Sequence, residues 1–163
     1  MKNYSHSHKN LLLFHLWCLL LTLLLCLSLA LDAAADEEMD DQLVNAAEAG
    51  QADVVQALID KGADVNARDV YGLTALMRSA LKGYTDVAAI LIAKGADVNA
   101  GNYVNTTALM HAAGSNRAEM VRLLIAKGAD VNAQNALGLS ALAIAQENGF
   151  VDIERILKEA GAK

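Results

Sequence analysis

Apolar and polar positions are arranged in two different ways along this chain. From Leu11 to Leu31 the residues are almost entirely apolar, whereas from Asp36 onward apolar residues come in short groups at helical spacing, repeatedly closed by glycine. In the second region Val87, Ile90, Leu91 and Ile92 put an apolar side on a segment from about Thr85 to Lys94, and Gly95 follows it. The pattern predicts a short amphipathic helix with a glycine stop. Just upstream, Thr74 is placed to cap a helix over Ala75 to Lys82 by accepting a backbone N–H bond, and Gly83 to end it in the left-handed conformation. Thr107 and Ser140 repeat the cap, and Gly149 and Gly161 bound the corresponding second helix near the end of the chain.

The grouping is periodic. Lys-Gly-Ala-Asp-Val-Asn-Ala stands at Lys61 to Ala67, at Lys94 to Ala100 and at Lys127 to Ala133, each copy 33 residues after the last. A second marker keeps the same step: Gly72-Leu73-Thr74-Ala75-Leu76-Met77, then Asn105-Thr106-Thr107-Ala108-Leu109-Met110, then Gly138-Leu139-Ser140-Ala141-Leu142-Ala143. Asp41-Gln42-Leu43 occupies the equivalent place in a degenerate first copy, giving four repeats at about 36–67, 68–100, 101–133 and 134–163. Single helices this short are marginal in water, because nucleation is costly and few hydrogen bonds follow it. Stacking must therefore supply the stability, which predicts an all-α repeat solenoid. Leu76, Leu109 and Leu142, with the pairs Leu58-Ile59, Leu91-Ile92 and Leu124-Ile125, are its expected continuous core. Ala80, Ala112, Ala113 and Ala145 allow close helix approach.

The apolar stretch at the start has a separate logic. Lys2 and Lys9 precede it, Ala33-Ala34-Ala35 follow it, and then the acidic run Asp36-Glu37-Glu38 begins. That is the order of a cleavable secretory signal over residues 1–35, with cleavage after Ala35, or earlier near Ser28 and Ala30. The competing reading is an uncleaved membrane anchor, since about 20 apolar residues also approach the length that spans a bilayer. Positive charge on the leading side would then keep that end in the cytoplasm. Either way the remainder is expected to be translocated. Both cysteines, Cys18 and Cys26, lie in the apolar stretch, so residues 36–163 have no thiol for a disulfide or a metal site.

Charge narrows the partners. Of 19 acids all but Asp32, and of 13 bases all but Lys2 and Lys9, lie from Asp36 onward, which leaves 18 against 11, a balance of −7. Scattered bases on an acidic chain do not suit nucleic acid, whose capture depends on clustered Lys and Arg.

The 33-residue period, the Gly-x-Thr-x-Leu start and the Gly-Ala-Asp-Val-Asn-Ala end resemble ankyrin repeats over nearly all of residues 36–163. The resemblance implies antiparallel helix pairs joined by projecting β-hairpin loops, with the hairpin tips and first helices lining a concave face that binds other proteins. Ala75, Ala108 and Ala141 stand where the family usually has Pro, Met77 and Met110 where it usually has His, and Asn105 replaces the turn glycine. Losing Pro at the first helical position gives up about 0.4–1 kcal/mol per site, which the fold is expected to survive. Asn tolerates positive φ best after Gly.

No catalytic constellation is recognisable: there is no phosphate loop, nucleophile motif or paired-carboxylate signature. His111, alone among the histidines in lying beyond the leader, lacks an arranged partner, and Asp64, Asp97 and Asp130 sit in turns where a short carboxylate bonds local N–H groups. The chain is expected to be no enzyme and to need no metal or cofactor. By register, the hairpin tips would present Arg68, Val70, Tyr71 and Leu73, then Tyr103, Val104 and Thr106, then Ala136, Leu137 and Leu139. Arg78, Lys82 and His111 would add donors from the first helices. An apolar, partly aromatic row in surface loops marks an interface. The expected function is a monomeric, non-enzymatic scaffold or adaptor of the exported bacterial type, periplasmic or secreted, binding one or more proteins. The alternative is a membrane-anchored scaffold or a host-directed effector.

Overall fold

A computed structural model of the chain describes residues 4–163, with side chains at 17, 19–27 and 36–163. The chain divides into two compact units, Met1–Glu38 and Met39–Lys163. The first helix, α1 (Tyr4–Glu48), begins in one and ends in the other. In the first unit Trp17 and residues 19–27 are exposed, Cys26 among them. Among the described residues no helix is long and apolar enough to cross a membrane. Lys2 lies outside the described residues, as do the side chains of Lys9, Cys18 and Ala33 to Ala35, on which the leader reading rests.

In the second unit the end of α1 is followed by α2 (Ala52–Asp60), α3 (Ala75–Lys82), α4 (Thr85–Ala93), α5 (Ala108–Gly114), α6 (Ala118–Ala126), α7 (Ala141–Glu147) and α8 (Val151–Glu159). Each of α3, α5 and α7 packs on the helix that follows it. The three touch one another in sequence to form an inner layer, and α2, α4, α6 and α8 form an outer one. This is the helical repeat stack that the period predicts.

Local chemistry sets the helix ends. Thr74 Oγ1 accepts from Met77 N, Thr107 Oγ1 from Met110 N and Ser140 Oγ from Ala143 N, so all three expected caps form. Gly83 ends α3 with a φ of 87°. Asn105 takes positive φ (59°) in place of the turn glycine, and Asn116 (57°) does the same between α5 and α6, which the sequence reading did not single out. The outer helices close with a six-residue backbone bond, Ala63 N to Leu58 O, Ala96 N to Leu91 O and Ala129 N to Leu124 O.

One buried cluster runs through the unit. Leu43, Leu76, Leu109 and Leu142 lie in it at 33-residue steps, joined by Leu58, Leu91 and Leu124. The paired isoleucines Ile59, Ile92 and Ile125 are only half-buried, packing against the cluster from its margin. Adjacent residues on a helix point about 100° apart, so only one of each pair can face inward.

The repeated heptapeptide does more than end a helix. Asp64, Asp97 and Asp130 each accept the N–H two residues on, from Asn66, Asn99 and Asn132, at 2.9 Å. The asparagines then reach into the next repeat: Asn66 Oδ1 accepts from Asp97 N at 2.8 Å, Asn99 Oδ1 from Asp130 N at 2.8 Å, and Asn132 Oδ1 from Lys163 N at 3.0 Å. Asn66 and Asn99 also donate to Gly95 O and Gly128 O. Asp40 serves the first step, accepting from Asp64 N at 2.7 Å. Carboxylates hold the turn and amides set the translation between repeats. Replacing Asn99 by Ala removes both arms of one step and is expected to lower unfolding free energy by about 1 kcal/mol, given the exposure of the site. Urea unfolding of the variant checks this, with the midpoint reduced and the slope unchanged.

Candidate protein-binding face

Between the outer helix of one repeat and the inner helix of the next, the chain turns back in a hairpin reduced to one β-bridge: Arg68 with Thr74, Gly101 with Thr107, and Gln134 with Ser140. Among the described residues there is no strand. What holds each hairpin is a short polar side chain at its base. Asp69 Oδ1 accepts from Tyr71 N and Leu73 N at 2.8 and 2.9 Å, Asn102 Oδ1 from Val104 N and Thr106 N, and Asn135 Oδ1 from Leu137 N and Leu139 N. With both N–H groups held from inside the turn, the two tip side chains are pushed outward. They are Val70 and Tyr71, Tyr103 and Val104, and Ala136 and Leu137. Val70 is 82% exposed, Tyr71 68%, Tyr103 73%, Val104 52% and Leu137 80%, so the tips put apolar surface in water.

The expected row divides when each residue is placed. Val70, Val104 and Leu137 point outward from the tips. Tyr103 leans on the preceding hairpin, its ring so close to Gly72 that a Cβ there would lie 2.9 Å from ring carbons. Tyr71 has the Arg78 guanidinium 5.7 Å from its ring centroid. Leu73, Thr106 and Leu139 are half-buried at the inner edge of the hairpins. The Arg68 guanidinium donates to Gly72 O at 3.0 Å and to Gly101 O at 2.6 Å, stapling the second repeat's hairpin to the third's. Ala136 N donates to Val104 O at 2.8 Å and ties the third to the fourth.

The inner helices correct the expectation of free donors. Arg78 is fixed, with Nε 2.9 Å from Asp69 Oδ2 and Nη1 3.3 Å from Glu48, and only 16% of its side chain is exposed. Lys82 pairs with the same Glu48 at 3.2 Å. Burial opposes ionisation of Asp69, but the N–H of Leu73, the Arg78 guanidinium and the N–H of Tyr71 outweigh it and hold the carboxyl below the ordinary range. His111, one repeat on from Arg78, is half-buried, and its Nε2 is sealed from solvent with no hydrogen-bond partner. It presents no donor there. Burial pushes its pKa down, and the Arg78 charge pushes in the same direction. Ile144 continues the column, its Cγ2 sitting 3.1 Å from where a Cβ on Gly114 would be. Among the described residues no group of His, Cys, Asp and Glu is placed to hold a metal ion.

Several of these parts escaped the sequence reading: the basal Asp69, Asn102 and Asn135, the acceptor Glu48, and the Gly114–Ile144 contact. The first three fall on one 33-residue register and could have been found by aligning the repeats. Glu48 could not, because the hairpin marker is missing from the first copy.

Helix pairs stacked at a fixed step, with side-chain-braced hairpins projecting from one edge, define a repeat protein whose variable surface is its hairpins and inner helices. A family model of ankyrin repeats in three copies matches residues 19–102, and one of ankyrin repeats in many copies matches 91–145. The chain belongs to the ankyrin-repeat family. Ankyrin repeats generally mediate protein–protein interaction, and proteins built of them are typically non-enzymatic scaffolds. No curated protein matches the chain.

His111 makes one consequence of the packing measurable. Its folded pKa lies below the unfolded value near 6.5, so between the two the unfolded chain binds more protons. The stability from neutral His111 is complete above about pH 6.5 and is lost as the pH falls through the folded value. Melting temperature is expected to drop more between pH 7.5 and 5 in the native chain than in His111→Leu. Equal drops would show that the buried imidazole is not the titrating group.

Proposed function

We propose that this chain is a non-enzymatic adaptor that binds a protein partner across its hairpin tips, and that it does so after export. The observation that carries the binding reading is the run of three successive tips with exposed apolar side chains at both turn positions. A solitary exposed valine would mean nothing, but a row over three successive hairpins reads as a docking surface; the other large exposed apolar side chains of the repeat unit, Val54, Tyr84 and Val151, are single residues at the outer helices. Tyr71 and Tyr103 are its anchors, each already steadied on one face and open on the other, so little freedom is lost on binding. Arg68, Arg78 and Asp69 act as braces that keep the tips in register. His111, Thr106, Leu73 and Leu139 support the face from below, and Lys82, more open than Arg78, stands at its margin.

Export is supported by the order of basic, apolar, small and acidic residues across 1–38, with which the lack of thiols in residues 36–163 is compatible. The reading is a periplasmic or secreted bacterial protein, monomeric and without affinity for nucleic acid. A retained leader would make it a membrane-tethered scaffold instead.

Replacing Tyr71 and Tyr103 together by Ser is expected to abolish capture of the crosslinked partner from the producing cell while leaving the far-ultraviolet helical signal intact; unchanged capture would sink the binding reading. Intact mass decides the leader. A mature chain beginning near Asp36 supports export and cleavage, and a full-length chain in the membrane fraction supports the anchor.

A further inference from the structure

Charge is divided unevenly over the binding face. The hairpin and inner helix of the second repeat contain Arg68, Asp69, Arg78 and Lys82; the last three are ion-paired in a network with Glu48, and Arg68 donates to Gly72 O and Gly101 O. The corresponding stretches of the third and fourth repeats, 101–116 and 134–149, contain Glu147 as their only charged residue, at the far end of α7. His111 lies in the third repeat, but its ring is half-buried, its Nε2 is closed to solvent, and the neighbouring cation is Arg78. The remaining charges of these two repeats lie elsewhere, on the outer helices and loops, as in Arg122, Arg155, Lys158 and Glu159. Half of the face is therefore neutral while the opposite side of the same repeats is densely charged.

On that neutral half stand Tyr103, Val104 and Leu137, all exposed, above the half-buried strip of His111 and Ile144. A charged group from a partner laid here would lose its water and meet no counter-charge, which is costly enough to exclude it. An uncharged apolar segment loses only water that it is better without.

We infer that the third and fourth repeats form the principal contact for the partner, and that what they take is an uncharged, apolar segment of a protein. The inference rests on the binding reading above and narrows it to one half of the face and one partner chemistry. The second repeat then forms the edge of that contact, where Tyr71 and Val70 extend the apolar row beside charged side chains already bonded within the chain.

The test is selection of random twelve-residue displayed peptides on the protein purified from cells producing the full chain. The expected result is enrichment of peptides with an apolar core free of Asp, Glu, Lys and Arg. Their binding should weaken by about tenfold or more in Val104→Glu/Leu137→Glu and by less than about twofold in Val70→Glu. All three positions are exposed, so the helical signal stays unchanged in each variant. Enriched peptides with a charged consensus, or stronger dependence on Val70 than on Val104 and Leu137, would overturn the inference while leaving the binding face standing. Peptides insensitive to every tip variant would overturn the binding face itself, and no enrichment would overturn the claim that an apolar segment suffices. Self-association by sedimentation that Leu137→Glu abolishes would assign the neutral half to a second copy of the chain and reject a separate partner.

Discussion

A helix of seven to nine residues does not hold itself together in water, and α2 to α8 are all of that length. Every other feature of the repeat unit answers to that constraint. A helix pair covers one side of its apolar surface, so each repeat is complete only when a neighbour covers the other. The leucines at 43, 76, 109 and 142 supply that cover as one continuous cluster rather than four separate cores. Hydrophobic burial has no preferred direction, however, and would tolerate a sliding or rotated neighbour. The directional part comes from Asn66, Asn99 and Asn132, whose backbone N–H groups are held in their own turn by the Asp carboxylates while their side chains bond onward along the stack. Burial makes the stack stable, and the amide ladder makes it regular.

This division explains why so much of the architecture was legible in the sequence. The ladder needs a short amide at a fixed place, the glycine before it needs positive φ, and the turn carboxylate needs an N–H two residues on. Three demands on one loop leave a heptapeptide almost no freedom, so it recurs unchanged and exposes the period. The caps Thr74, Thr107 and Ser140 were readable for the same reason. What the sequence hid were contacts between residues with different partners in each repeat. Arg78, His111 and Ile144 share one register position, but Arg78 enters an ion network, His111 has its Nε2 closed to solvent without a partner, and Ile144 packs near Gly114. Their roles follow from neighbours and not from spacing. Taking Arg78 as a free donor overlooked Glu48 and Asp69, which lie 30 and 9 residues away in sequence and are brought together only by the stack.

Most of the positions that stay the same within the chain carry packing, turn geometry or hydrogen bonds between repeats. At the hairpin tips the same comparison gives the opposite result: Val70, Tyr103 and Ala136 occupy one register position, and Tyr71, Val104 and Leu137 the next, with no residue repeated in either column. The basal Asp or Asn satisfies the turn whatever the tips are, so the turn itself places almost no demand on them, although Tyr103 and Tyr71 also lean on neighbours within the chain. Ser, Asn or Lys would serve the turn as well, and would be better solvated. Yet all six are apolar. A property kept at three successive hairpins where neither the core nor the turn requires it, and where water opposes it, is the feature on which the proposed contact with a protein partner rests.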